Sequence, residues 1–174
     1  MNRKLIIGFI GSDKPGLVHC ISDIVNRFEG NWLESKMAEL AGRFAGIATI
    51  EADEKVIEEL KAALCNIDGI SSVVEEIEDQ SEIENTRLLS LNIVGPDRPG
   101  IINDVTLALE KHVANLSDME TNISAAPMSG ELTFSADASI LVPYEMDWAV
   151  IAEQLDSIAD KLGIDIILDE EPEQ

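Results

Sequence analysis

The sequence predicts an α+β protein made of two tandem β-α-β-β-α-β lobes, each a four-stranded antiparallel sheet with its helices on one face. Three observations carry this expectation. The segment Gly11-Ser12-Asp13-Lys14-Pro15-Gly16-Leu17 returns 84 positions later (95 − 11) as Gly95-Pro96-Asp97-Arg98-Pro99-Gly100-Ile101. One pattern, Gly-x-Asp-basic-Pro-Gly-aliphatic, is thus written twice. Around each copy the apolar residues pass between strand-like and helical spacing in the same order. Finally, 45% of the 174 residues are hydrophobic, which argues for a folded globule, and the repeat divides the chain into two lobes. Lobes of roughly 80 residues sit near the lower limit for a self-sufficient core, so each is expected to pack against the other or against a second chain.

Leu5 to Ile10 read as a buried strand that ends at the first glycine of the motif. Asp13, like Asp97, is placed to cap the next helix or to face a cation. The proline presets φ for the first helical turn. The glycine after it leaves the backbone open to a ligand. Leu17, Val18, Ile21, Ile24, Val25 and Phe28 then mark one helical face, and Ile101, Ile102, Val105, Ala108, Leu109 and His112 repeat it without a gap. Gly30-Asn31-Trp32 and Ala114-Asn115-Leu116 open the second strands. Gly42 marks a turn, after which Phe44, Gly46, Ala48 and Ile50 alternate along a third strand. The second hairpin is about four residues longer. Its turn is expected at Pro127-Met128-Ser129-Gly130, with Leu132, Phe134, Ala136, Ala138 and Ile140 alternating beyond.

Second helices are expected over Glu54 to Cys65 and Met146 to Leu162, and last strands over Ser72 to Ile77 and Ile164 to Leu168. With right-handed crossovers this order builds the ferredoxin-like arrangement. If Ile7 and Phe9 face the helices, Ile6, Gly8 and Ile10 lie on the open sheet face, and Leu88, Ser90, Asn92 and Val94 are the counterpart set. The apolar set suggests a packing partner on the first lobe. The expected boundaries are 1–79 for the first lobe, 80–86 for an acidic linker, 87–170 for the second lobe and 171–174 for an acidic tail.

With 34 acidic and 12 basic side chains, a formal charge of −22, the chain is a poor candidate for direct contact with nucleic acid. Basic proteins and cationic small molecules remain suitable partners. Cys20 and Cys65 form no framework and read as free thiols of a reducing cytosol. The apolar run from Leu5 to Ile10 is too short for a signal peptide or a membrane span, so a cytoplasmic protein without membrane contact is expected. No metal-ligand spacing, P-loop, Gly-x-Ser-x-Gly or dinucleotide glycine fingerprint occurs. Asp13 with His19 makes a poor acid–base pair, because Asn103 replaces the histidine in the second lobe. The expectation is a protein that is not an enzyme and carries no cofactor.

What remains is the pair of corners and the repeated asparagines. An amino acid's carboxylate suits the helix N–H groups near Gly16-Leu17 and Gly100-Ile101. Its ammonium suits Asp13 or Asn31 in the first lobe, and Asp97 or Asn115 in the second. With Ser12 added to the first corner, these are the candidate ligand-binding residues. Two plainer readings stay open: the corners as well-capped strand-to-helix turns, and the asparagines as left-handed turn residues before a strand.

Two such lobes, each with Gly-x-Asp-[Lys/Arg]-Pro-Gly-[Leu/Ile] before the first helix and Gly/Ala-Asn before the second strand, resemble tandem ACT domains over nearly the whole chain. The stretch Asn31-Trp32-Leu33-Glu34-Ser35-Lys36-Met37 through Gly42-Arg43-Phe44 further resembles the glycine cleavage system transcriptional repressor family. The resemblance implies a regulatory, non-catalytic protein whose lobes bind a small amino acid, with glycine as the candidate, at lobe–lobe interfaces. It also implies action through a protein partner, a transcriptional activator, rather than through DNA. A detached regulatory subunit of an amino-acid metabolic enzyme is the alternative. An enzyme of the formyltetrahydrofolate hydrolase type is disfavoured, since these 174 residues hold no downstream catalytic domain. With Pro96 in place of Ser12 and a longer second hairpin, ligand binding is expected to be unequal in the two lobes or confined to one. Small lobes and exposed sheet edges favour association, with a homodimer as the candidate.

Overall fold

The computed structural model describes residues 1–77, 85–126 and 130–170, and the chain divides into two compact units, Met1–Glu82 and Ile83–Gln174. Residues 80–84 of the expected linker, Pro127-Met128-Ser129 of the expected turn and the expected tail lie outside the described residues. In the first unit the order is β1 (Asn2–Ser12), α1 (Leu17–Arg27), β2 (Asn31–Leu40), β3 (Arg43–Asp53), α2 (Ile57–Cys65) and β4 (Ile70–Ile77). The second contains β5 (Thr86–Pro96), α3 (Ile101–Lys111), β6 (Asn115–Ala125), β7 (Leu132–Pro143), α4 (Trp148–Leu162) and β8 (Asp165–Glu170). The antiparallel sheets run β2-β3-β1-β4 and β6-β7-β5-β8. This is the expected ferredoxin-like topology, realised twice.

Alternation along the central strands decides the faces. Leu5, Ile7 and Phe9 are buried with Ile21, Ile24 and Val25 of α1 and Ile57, Leu60 and Leu64 of α2. Leu89, Leu91 and Ile93 play the same part with Val105, Ala108 and Leu109 of α3 and Ile151 and Leu155 of α4. The intervening residues form the open faces, as expected. The helical stripe is narrower than its spacing predicts: Val18 and Ile102, at equivalent positions, remain exposed at its edge.

The strand-to-helix corner differs from its sequence reading. Pro15 does not open the helix. Instead Leu17 N–H donates to Lys14 O (3.4 Å) and Gly16 has φ 93°, ψ 0°, so Lys14 to Leu17 form a type II turn that ends where α1 starts. Gly100 repeats this at φ 101°, ψ −6°. The aspartates do not cap either, and neither helix receives a side-chain cap among the described residues. The turn draws the backbone N–H of Asp13 to Gly42 O (3.1 Å) and that of Asp97 to Leu132 O (2.9 Å), fastening each corner to the neighbouring hairpin.

The asparagines are strand residues, which removes their reading as left-handed turn positions. That conformation falls two residues earlier, on Glu29 (φ 55°) and Val113 (φ 55°). Gly30 N–H donates to Val25 O and Glu29 N–H to Asn26 O, while Ala114 N–H donates to Leu109 O and Val113 N–H to Glu110 O. Both first helices therefore end in Schellman motifs, with glutamate and valine where glycine is favoured. A β-branched residue is strained there. Val113, 72% exposed, has little burial to lose, so Val113→Gly is expected to stabilise the second unit by about 0.5–1 kcal/mol in chemical denaturation.

Two further boundaries shift. Helix α2 starts at Ile57 rather than Glu54, because the Asp53 carboxylate accepts from Lys55 N–H (2.9 Å) and Asp53 O accepts from Val56 N–H (3.0 Å), holding 53–56 in a turn. The second hairpin is longer by six residues rather than four. Asn31 pairs with Glu51 twenty positions on (51 − 31), and Asn115 with Leu141 twenty-six positions on (141 − 115).

Candidate functional site

Each unit presents the same kind of corner. The central strand delivers Ser12 or Pro96, the aspartate follows with its side chain in solvent, and the type II turn aims the first amides of the helix outward. At Gly16 and at Gly100, a Cβ built on the backbone would meet nothing within 4 Å, so among the described residues no atom crowds the backbone at either glycine. An uncapped N-terminus with open amides favours a carboxylate or phosphate. Leu17 and Ile101 turn inward: Ile101 is buried in the second unit's core, and Leu17 packs, partly exposed, against the core of the first unit. Neither side chain faces a corner ligand, and the Leu17 N–H is already given to Lys14 O.

The two corners are unequal. Arg43, opposite Ser12 in the β1–β3 register, donates from Nη1 to Ser12 Oγ (3.1 Å). With Lys14 it places two cations at the first corner. In the second unit Pro96 has no hydroxyl and faces Thr133, while Arg98 supplies the basic residue of the turn. The motif alone does not show Arg43. Its position follows from the tight turn at Ala41-Gly42, which sets Arg43 beside the end of β1.

The asparagines sit elsewhere. Asn31 shares a row with Glu51 and Lys4, whereas the corner residue Ser12 shares one with Arg43 and Leu40. Eight positions of β1 separate those rows (12 − 4), about 26 Å at strand rise. Asn115, in a row with Leu141 and Leu88, is likewise eight positions of β5 from the Pro96 row (96 − 88). Within one unit, then, a small amino acid at the corner does not reach the asparagine. Asn115 instead lines an open groove of about 410 Å³ with Asn103, Thr106, Glu110 and Leu116, between α3 and the start of β6. Next to Asn103, the Asp104 carboxyl is held below the usual carboxylate range by its hydrogen bond from Lys161 (3.0 Å), an ion pair that ties α3 to α4.

Among the described residues, no group of three or more His, Cys, Asp or Glu side chains is arranged to hold a metal ion, and no helix is long and apolar enough to cross a membrane. Cys20 and Cys65 are free and exposed.

The fold and corners define a chain of two like lobes, and comparison matches the first of them to a known domain. Residues 3–67 match the ACT domain family. The second unit repeats the same element order, so the chain has the two-lobe ACT fold, with the family match itself carried by the first unit. A crystal structure of an unknown protein from Galdieria sulphuraria is similar over 99% of this chain and 100% of its own, with 28% identity and a TM-score of 0.89. That of a candidate glycine cleavage system transcriptional repressor is similar over 99% of both chains, with 15% identity and a TM-score of 0.72, a likeness of fold. No curated protein matches the sequence.

Proposed function

We propose that the chain is a non-catalytic regulatory protein that binds a small amino acid, glycine first among the candidates, and represses glycine cleavage system genes through a protein partner. The observation that carries this reading is the duplicated open corner: an uncapped helix N-terminus, a glycine with free space where a side chain would stand, and an aspartate beside it. The helix amides take the ligand's carboxylate and Asp13 or Asp97 takes its ammonium, so one corner recognises both ends of a zwitterion. At the first corner Lys14 and Arg43 add to the attraction for the carboxylate. The first unit is therefore the stronger binder. A charge of −22 favours contact with a basic protein surface over contact with DNA.

Calorimetric titration of glycine, serine and alanine into the full chain tests the reading. Binding is expected, and Asp13→Ala is expected to weaken it about tenfold or more, the scale of a lost charge-assisted hydrogen bond. Asp13 is exposed and its side chain caps nothing, so the fold is not the variable. Absence of binding by any of these amino acids at millimolar concentration overturns the sensing role. Affinity capture from cell extract separates the partners: a DNA-binding protein supports repression, and a metabolic enzyme supports a detached regulatory subunit.

A further inference from the structure

The open faces of the two sheets both carry exposed aliphatic side chains, Leu88, Val94 and Ile167 on the second, but they differ in charge. On the first, Ile6, Ile10, Ile47 and Val73 surround Gly8, and three of them are well exposed: Ile10 by 47%, Ile47 by 51% and Val73 by 63%. The register puts them in adjacent rows, since Gly8 pairs with both Ile47 and Val73 and Ile6 and Ile10 flank it on β1. Gly8 leaves a hollow between these side chains. Ile47 borders it, with Cγ2 4.0 Å from where a Gly8 Cβ would stand.

The charges around this centre are balanced. From the Lys4 row to the Ser12 row the same face carries Lys4, Lys36 and Arg43 against Glu34, Glu51 and Glu75. The equivalent face of the second sheet carries Asp118, Glu120, Asp137, Asp165 and Asp169, and no Lys or Arg among the described residues of those rows. In a chain of net charge −22 most surface repels a second copy. The first sheet's open face is an exception: apolar at its middle, with equal numbers of both signs at its rim.

We infer that this face is the homodimer interface, in which the first sheets of two chains pack face to face about a two-fold axis. The occupant is a second copy rather than a basic partner because the patch has no acidic excess to attract one. A two-fold contact sets a surface against itself, which a balanced rim permits and the acidic face of the second unit forbids. Face-to-face sheets interdigitate, so the hollow at Gly8 receives an aliphatic side chain from the facing copy. This inference is independent of ligand binding at the corners and stands or falls without it.

Sedimentation velocity on the full chain tests it. Across about a hundredfold concentration range the chain is expected to sediment at twice its monomer mass at the upper end, by mass action. Ile47→Glu sets two carboxylates at the centre of the contact and is expected to raise the dimer Kd about a hundredfold or more. Val73→Glu, on the edge strand, is expected to act in the same direction and supplies the test should Ile47→Glu fail to fold by far-ultraviolet circular dichroism. Asp137→Lys, on the other open face, is expected to leave the dimer intact. A chain that stays monomeric throughout the range, or a dimer that survives both glutamate substitutions in folded protein, overturns the inference.

Discussion

Gly95→Ala is expected to destabilise the second unit by about 3 kcal/mol, at the upper end of what an overpacked methyl group costs. A Cβ at this position would stand 2.5 Å from Ile164 Cγ2, 2.7 Å from its Cβ and 2.8 Å from its Cα. Ile164 is a poor candidate to yield. It is 6% exposed, it leads directly into β8, and it follows Gly163 at φ 66° at the end of α4. The equivalent Gly11→Ala meets the mobile Leu17 Cδ1 at 3.0 Å and Gly69 O at 3.1 Å, so about 1 kcal/mol is expected there. In a unit of this size the larger effect lowers Tm by roughly 12 °C or more. Thermal melts of the two variants check the order. A loss at Gly95 no greater than that at Gly11 contradicts the packing argument.

The same glycine shows what a sequence discloses and what it withholds. Its repetition was visible, but its reason lies in an approach by Ile164, 69 residues away (164 − 95), that no local pattern encodes. Strands and helices are legible because each buries one face, but Leu5 to Ile10 is apolar on both sides, and only the burial of Leu5, Ile7 and Phe9 fixes which side is open. The corner departs from its sequence reading because Pro-Gly suits both a first helical turn and a type II turn. Only the φ of 93° at Gly16 separates them. Helix α2 was drawn too long for a related cause: Glu54 and Lys55 are good helix formers, and the hydrogen bond that holds them in a turn comes from Asp53.

For the candidate site the difficulty is register. Asn31 and Asp13 are close in the chain and alike in chemistry, which made one binding set of them. Strand pairing then carries Asn31 to the Lys4 end of the sheet while Asp13 stays at the Ser12 end. The proposed corner does not depend on the asparagine, since its amides, its open glycine and its aspartate are contiguous. The second unit supports it by repetition and qualifies it by departure, with Pro96 where Ser12 accepts from Arg43.

Ile7→Ala is expected to cost about 2–5 kcal/mol, whereas Ile6→Ala, one residue away, is expected to cost less than about 1 kcal/mol when measured in dilute protein. Ile7 is fully buried on the central strand beneath both helices, and its loss leaves a cavity that backbone pairing on both sides prevents from closing. Ile6 points to the open face, half-buried among its neighbours, where truncation removes contact without opening a void. The pair therefore measures face assignment directly, by equilibrium denaturation. The Ile6 value carries a second message. If the open face is covered by another chain, the cost of Ile6→Ala rises with protein concentration, because dimerisation adds stability that the variant loses. The cost of Ile7→Ala, set within one unit, does not. A concentration-dependent difference at Ile6 alone would tie the alternation of a single strand to the assembly it builds, while equal costs at low concentration would show that the faces were assigned wrongly.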